Sequence, residues 1–199
     1  MFIFVCAIIW VKESVGRHMR ALNILVNKNE IVLIYSNFLK LNKFSAGKIA
    51  HVFSNEILLK HLLPNGKYDG YQVISIEDII KIEHKTQYAQ KIAKLAKYYD
   101  SLHEEIEVLE ENGFVTILEF AKEKNKVVSI EFLESGRNDV IGYIGEINND
   151  RCVVYQLDEF GNEDGQVLFE LSTITFISCD GDEESVLDVL SRLKRAVNN

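Results

Sequence analysis

The sequence predicts a mainly β protein with helices (α+β), built from two small, strongly bent barrels of five strands each. Three observations predict this class: the chain aligns with itself, each aligned half holds five short apolar strand patterns, and a helical pattern follows each half. With 199 residues, the chain is long enough for two units of about 100 residues, each with its own core.

The self-alignment has an offset of 95 residues and runs without a gap through the most patterned part of the chain. Matched pairs include Gly47 and Gly142, Gly66 and Gly161, Gly70 and Gly165, Ile79 and Ile174, and Ile82 and Ile177. Upstream the offset is 96, which pairs Leu22 with Leu118 and Ile24 with Phe120. We therefore predict two modules, 19–85 and 114–180, with an N-terminal extension at 1–18.

Each module begins with a short helix, at 21–26 and 116–122, followed by the strand patterns. In the first module the strands are expected at 31–35, 46–53, 57–63, 71–76 and 79–83, where β-branched and other apolar residues alternate with sharp turn signals. Five strands on so short a stretch predict a bent antiparallel sheet, because a flat one would leave open edges and little core.

Helices are predicted after each module, a long linking one within 86–113 and a C-terminal one within 181–199. The first has apolar residues at alternating steps of four and three: Tyr88, Ile92, Leu95, Tyr99, Leu102, Ile106 and Leu109. Thr86 is expected to cap its start and Gly113 to follow its end. This apolar seam either packs on both barrels or pairs with a partner helix.

The order of a short helix and five bent strands, with a glycine in the second strand and one tight turn before the last, resembles the Sm-like fold, a small SH3-like barrel. The resemblance covers both modules and implies assembly through edge strands. RNA-binding members of that family have Asp-x-x-Met-Asn after the glycine and Arg-Gly before the last strand. Here those places hold 53–57 and 148–152, then Ser75-Ile76 and Glu170-Leu171, so the RNA contacts are not implied.

Charge and cysteine content narrow the partners and the compartment. The net charge is −8, divided as +2 up to Glu110 and −10 beyond it, which disfavours binding to DNA and, less strongly, to RNA. Three cysteines without a metal or disulfide pattern predict a cytoplasmic protein, and Cys152 is expected to be a buried apolar residue. The apolar run 1–11 is too short for a membrane span. We hypothesise that Met19 is the natural start or that 1–18 is a loosely attached extension.

Candidate binding residues lie mainly in the loop between the third and fourth strands, 64–70 and 159–165. They are Lys60, Lys67, Tyr68, Asp69, Phe160 and Asp164. Turn chemistry alone accounts for the glycines of these loops, and the alternative is a surface that meets a ligand or partner. The acidic residues there lack the spacing of a calcium loop.

No catalytic residue, metal site or cofactor is predicted. No carboxylate is spaced along the sequence so as to indicate that it orients a histidine of the first module for catalysis. The sequence therefore predicts a non-enzymatic binding or assembly protein that contacts a protein partner or itself. The alternative is a regulatory RNA-binding protein that uses the less acidic first module. A small-molecule sensor with a cleft between the modules is a third class.

Overall fold

The computed structural model describes residues 19–37, 42–108, 111–133, 135–148 and 150–197. The predicted extension at 1–18 lies outside these residues. The first repeat contains helix α1 (19–28), strands β1 (Ile31–Tyr35), β2 (Ser45–Val52), β3 (Glu56–Leu62), β4 (Tyr68–Ser75) and β5 (Lys81–His84), and helix α2 (Gln87–Tyr99).

The second repeat has the same order of elements. It contains α3 (Gly113–Lys124), β6 (Val127–Phe132), β7 (Val140–Asn148), β8 (Arg151–Leu157), β9 (Glu163–Glu170), a short 3-10 helix (Leu171–Thr173), β10 (Ile174–Cys179) and α4 (Asp182–Val197). All five strands predicted for the first repeat overlap observed ones. The duplication read from the sequence is therefore also a duplication of secondary structure.

The strands form one open antiparallel sheet in the order β5-β1-β2-β3-β4-β10-β6-β7-β8-β9. The prediction of two closed five-stranded barrels is wrong. Strand β4 pairs with β10 of the other repeat and not with a strand of its own repeat, so the sheet continues across the repeat boundary. The outer backbone groups of β4 and of β10 each need one partner strand, and the two strands supply it to each other. Neither repeat therefore has to close on itself.

Helices cover both faces of the sheet because the side chains of each strand alternate. In β1, Val32 and Ile34 pack with Leu22 of α1, whereas Ile31 and Leu33 pack with Ile92 of α2. In the second repeat Val128 and Ile130 pack with Ile117 of α3, whereas Val127 clusters with Leu187 of α4. By the strand register, the face covered by α1 continues through Ile74 and Phe176, and the face covered by α3 continues through Val73 and Ile177. Thus α1 and α4 lie on one face of the sheet, and α2 and α3 on the other.

The largest hydrophobic cluster crosses the repeat boundary. Helix α3 contributes Ile117 and Leu118, which are fully buried, and the same cluster includes Leu58 and Val73 from β3 and β4 of the first repeat. Helix α3 therefore covers strands of both repeats and joins them through a shared hydrophobic cluster.

The linking helix is shorter than predicted, because α2 ends at Tyr99 and residues 101–108 form neither helix nor strand. Asp100 adopts a left-handed conformation, with φ 51°, and its N–H donates to the carbonyl oxygens of Ala96 and Lys97. Beyond it, Ser101 Oγ donates to the carbonyl of Gly66 at 2.8 Å, which holds the chain against the first repeat. The predicted cap at Thr86 is confirmed, since its side chain accepts from the N–H of Ala89.

Candidate assembly interface

The glycines of the two repeated loops bring each loop against the helix that follows its repeat. Gly66 and Gly161 have φ values of 81° and 75°, which favour glycine. A Cβ atom on Gly66 would lie 2.5 Å from the N atom of Ala96 in α2, and one on Gly161 would lie 2.7 Å from Cβ of Leu190 in α4. Turn conformation and this close approach explain why both glycines recur.

Two of the predicted binding residues, Tyr68 and Asp69, lie at the junction between the repeats. The Tyr68 hydroxyl donates to Asp180 Oδ2 at 2.8 Å, and Lys126 Nζ lies 3.0 Å from the other oxygen of that carboxylate. Asp69 Oδ1 accepts from the N–H of Asp182, the first residue of α4, at 2.7 Å. Burial and the hydrogen bond to Asp180 raise the pKa of Tyr68 above its usual value. Both residues hold the two repeats together.

The other four predicted residues are spread over the surface. Lys60 contacts Glu105, and Lys67 Nζ lies 5.6 Å from the centre of the Tyr99 ring. Phe160 and Asp164 are exposed in the second repeat, at the β8–β9 loop and on β9. The structure thus brings Tyr68 and Asp69 together but does not bring the six residues into one site.

His103 belongs to the junction region, and nothing in the sequence singled it out. Its Nε2 atom lies 2.9 Å from the carbonyl oxygens of both His61 and Gly70, so this nitrogen must carry the hydrogen. Burial lowers the pKa of His103, although the two carbonyl hydrogen bonds act in the opposite direction. Its partners are more than 30 residues away in the chain, so no local spacing could have revealed it.

The junction itself is a regular antiparallel pairing of β4 with β10. Val73 lies opposite Ile177 and Tyr71 lies opposite Cys179, and all four residues are buried. Gly70 has φ 69°, and a Cβ atom there would lie 2.1 Å from the carbonyl oxygen of Cys179. The end of β10 therefore closes directly against the backbone of β4.

The two outer edges of the sheet are the counterparts of the two strands at this junction. By the repeat offset, β9 corresponds to β4 and β5 corresponds to β10, and neither outer edge has a strand partner among the described residues. Leu168, the counterpart of Val73, is 62% exposed, whereas Val73 is fully buried. Gly165, the counterpart of Gly70, has φ 82° with nothing within 4 Å of a Cβ position.

Helix α1 shows the same contrast with α3. Phe120 of α3 is 8% exposed, and its ring centre lies 5.3 Å from that of Tyr71 across the repeat boundary. Its counterpart in α1, Ile24, is 55% exposed. Residues that are buried at the junction are therefore matched by apolar residues that face solvent at the two ends of the sheet.

The described ranges contain neither a metal-binding cluster nor a membrane-spanning helix. No group of three or more His, Cys, Asp or Glu side chains in this part of the chain is placed to hold a metal ion. None of the helices in the same ranges is long and apolar enough to cross a membrane. Cys152 is buried as predicted, and burial raises the pKa of its thiol to about 12.

A scan against protein families found none that matches the chain, and searches of curated proteins and of solved structures gave no match.

Proposed function

We propose that this protein is an assembly protein whose chains join edge to edge, with β9 of one chain pairing antiparallel with β5 of the next. One observation carries the proposal: the same pairing, between the corresponding strands β4 and β10, already joins the two repeats within the chain. Adding a strand to an exposed sheet edge is a common mode of protein recognition, because the backbone groups supply the hydrogen bonds.

The register of the internal junction gives the register expected between chains. Val73 opposite Ile177 becomes Leu168 opposite Ile82, and Ile74 opposite Phe176 becomes Phe169 opposite Lys81. This pairing would bury the exposed side chain of Leu168 beside Ile82. The free energy gained on burying one such leucine is about 2 kcal/mol.

Helix α1 supports the same arrangement. Where α3 covers β3 and β4 within the chain, α1 of the next chain would cover β8 and β9. Ile24 would then pack near Gln166, the counterpart of Tyr71, and leave the solvent that it now faces. Both apolar residues exposed at the ends of the sheet, Leu168 and Ile24, would thus be covered by one contact.

Charge also favours contact between unlike ends of two chains. Asp164, the counterpart of Asp69, would accept from the N–H of Gln87 at the start of α2, as Asp69 accepts from Asp182 in α4. Glu163 would face Lys85 where Tyr68 faces Asp180. On a larger scale, the second part of the chain carries a charge of −10 and the first part +2. The ends therefore attract each other in water, and the contact should weaken with salt.

Joining unlike ends has a consequence for the assembly formed. A head-to-tail contact of this kind gives a closed ring when the rotation from chain to chain adds up to a full turn, and a fibre when it does not.

We propose the cytoplasm as the compartment, because Cys152 and Cys179 are free cysteines.

Sedimentation velocity at rising protein concentration tests the proposal. We expect wild-type protein to form species larger than the monomer, and Leu168→Lys to remain monomeric, because a lysine cannot be buried beside Ile82. The matched control is Leu193→Lys, since Leu193 is 60% exposed on α4 and belongs to neither of the two edge strands. A monomeric wild-type chain at about 100 μM, or equal assembly by Leu168→Lys, would contradict the proposal.

A cross-link tests the register itself. In the double variant Ile82→Cys with Leu168→Cys, mild oxidation should join separate chains, because paired residues on antiparallel strands lie about 5.5 Å apart or less. The pair Ile82→Cys with Leu193→Cys should not cross-link.

The RNA-binding alternative predicts a different outcome. If ribonuclease lowered the mass of the larger species, RNA binding would be favoured instead. The double variant Lys60→Glu with Lys67→Glu should then bind less RNA than the wild type.

A further inference from the structure

A cleft of about 850 Å³ lies between α2 and the strands β1, β2 and β3 of the first repeat. Its apolar wall is formed by Ile31, Leu62, Ala89, Ala93, Ala96 and Leu102. Its volume falls within the range of small-molecule sites, about 300 to 1,000 Å³. We propose that this cleft binds a small organic anion, with its charged group at Lys48 and Lys60 and its apolar body on the alanines of α2.

The two lysines are the main reason to assign a negative charge to the ligand. Lys48 and Lys60 lie directly opposite each other on β2 and β3, an arrangement in which like charges destabilise a sheet. Lys60 contacts Glu105, whose side chain is 88% exposed. Lys48 makes no ion pair with any other residue that the structure describes. A bound anion would relieve this repulsion.

The second repeat shows that the fold does not require this cleft. The positions of Lys48 and Lys60 hold Tyr143 and Tyr155, which are opposite each other on β7 and β8 in the same register. Tyr143 is buried, and its hydroxyl donates to Asp188 Oδ1 of α4 at 2.6 Å. Ala93 takes the place of Asp188 in α2, so a tyrosine there would have no such partner. Both the space and the charge are therefore specific to the first repeat.

The lining also limits the class of anion. Lys97 adds a positive charge from α2, whereas Glu30, Asp100 and Glu105 add negative charges to the lining. Glu30 is already 3.6 Å from Lys85. These acidic groups disfavour a highly charged ligand, and the alanines favour an aliphatic or flat aromatic body. A carboxylate or a phosphate monoester on an apolar chain meets both conditions.

Isothermal titration calorimetry with three probes that share a ten-carbon chain tests this inference. The probes are decanoate, decyl phosphate and the neutral decyl glucoside. We expect one or both anions to bind with a stoichiometry of one per chain, and the neutral probe to bind at least tenfold more weakly. Decanoate and decyl phosphate separate the two sources of negative charge. Equal binding of the neutral probe, or no binding of either anion, would overturn the proposal.

Two variants keep the test independent of folding defects. Lys48→Met should weaken anion binding about tenfold, the loss expected for one charge-assisted hydrogen bond. The double variant Lys48→Tyr with Ala93→Asp copies the pair that fills the second repeat, so it should fold and abolish binding. Lys91→Met, on the same helix but outside the cleft, is the control. If the double variant binds like wild type, the site lies elsewhere. None of these positions is on an open edge, so failure here leaves the assembly proposal standing.

Discussion

The two repeats share a backbone but differ in which of their surfaces is covered. In the first repeat, β10 and α3 cover the β4 edge, while the space under α2 is open. In the second repeat, Tyr143 fills the space under α4, while the β9 edge is open. Three glycine positions are common to both, at Gly47 and Gly142, Gly66 and Gly161, and Gly70 and Gly165. The shared positions therefore maintain the fold, and the positions that differ decide which surface of each repeat is left uncovered.

The largest difference between the repeats should appear at the paired glycines Gly70 and Gly165. Both have positive φ, so alanine at either costs about 1 kcal/mol in backbone strain. At Gly70 the added Cβ atom would also collide with the carbonyl of Cys179, so Gly70→Ala should lose more than about 4 kcal/mol. Urea unfolding of dilute protein measures both. Equal losses would show that β10 does not close against β4 as described.

A smaller difference is expected at the cleft positions. Tyr143→Ala removes a buried ring and its hydrogen bond to Asp188, and should lower the free energy of unfolding by about 3 kcal/mol. Lys48→Ala at the corresponding position should change it by less than about 0.5 kcal/mol, because the cleft is open there. Thermal or urea unfolding compares the two variants. A large loss for Lys48→Ala would mean that this lysine is structural.

The smallest effect concerns pH and the first repeat alone. Burial lowers the pKa of His103 in the folded protein, so the unfolded chain takes up the proton first as pH falls. Neutral His103 thus contributes fully to the free energy of unfolding above about pH 6.5. This contribution is lost as pH falls from there towards the lower pKa of the folded state. His103→Gln keeps an N–H donor and does not titrate.

Urea unfolding at pH 7.5 and 5.5 compares His103→Gln with the wild type. We expect the wild type to lose more stability between the two pH values. The charges of the nearby Lys60 and His61 also lower the pKa of His103, so the difference between the two proteins measures their effect together with that of burial. Equal losses would mean that His103 is not held neutral by burial.

The sequence predicted the local structure well because local signals determine it. Alternating apolar residues and turn glycines placed the strands, and Thr86 marked the start of α2. The end of α2 was missed because the seam continues past Tyr99, while Asp100 turns the chain without a glycine or proline. Pairing of the sheet edges was also missed. The backbone hydrogen-bonding groups of a strand such as β4 can pair equally well with a strand of the same repeat or with β10. The packing of α3 across both repeats favours pairing with β10.

The contacts of the candidate residues could not be predicted, for a similar reason. The repeated loop singled out Tyr68 and Asp69 as binding residues, but their observed partners, Asp180 and Asp182, lie more than 100 residues further along the chain. The cleft at Lys48 and Lys60 depends on which residues face each other across two strands and a helix. Such a relation becomes visible only when the strand register is known.

The pairing of β4 with β10 also affects how the chain is made. Strand β4 ends at Ser75 and β10 begins at Ile174, so the ribosome must add about a hundred residues before the junction can form. At ordinary rates of synthesis this leaves the β4 edge open for roughly 5 to 20 seconds. Under the proposed edge-to-edge assembly, β5 of a chain on a neighbouring ribosome would compete for β4 during that time. The order of synthesis would then decide whether β4 pairs with another chain or with β10 of its own.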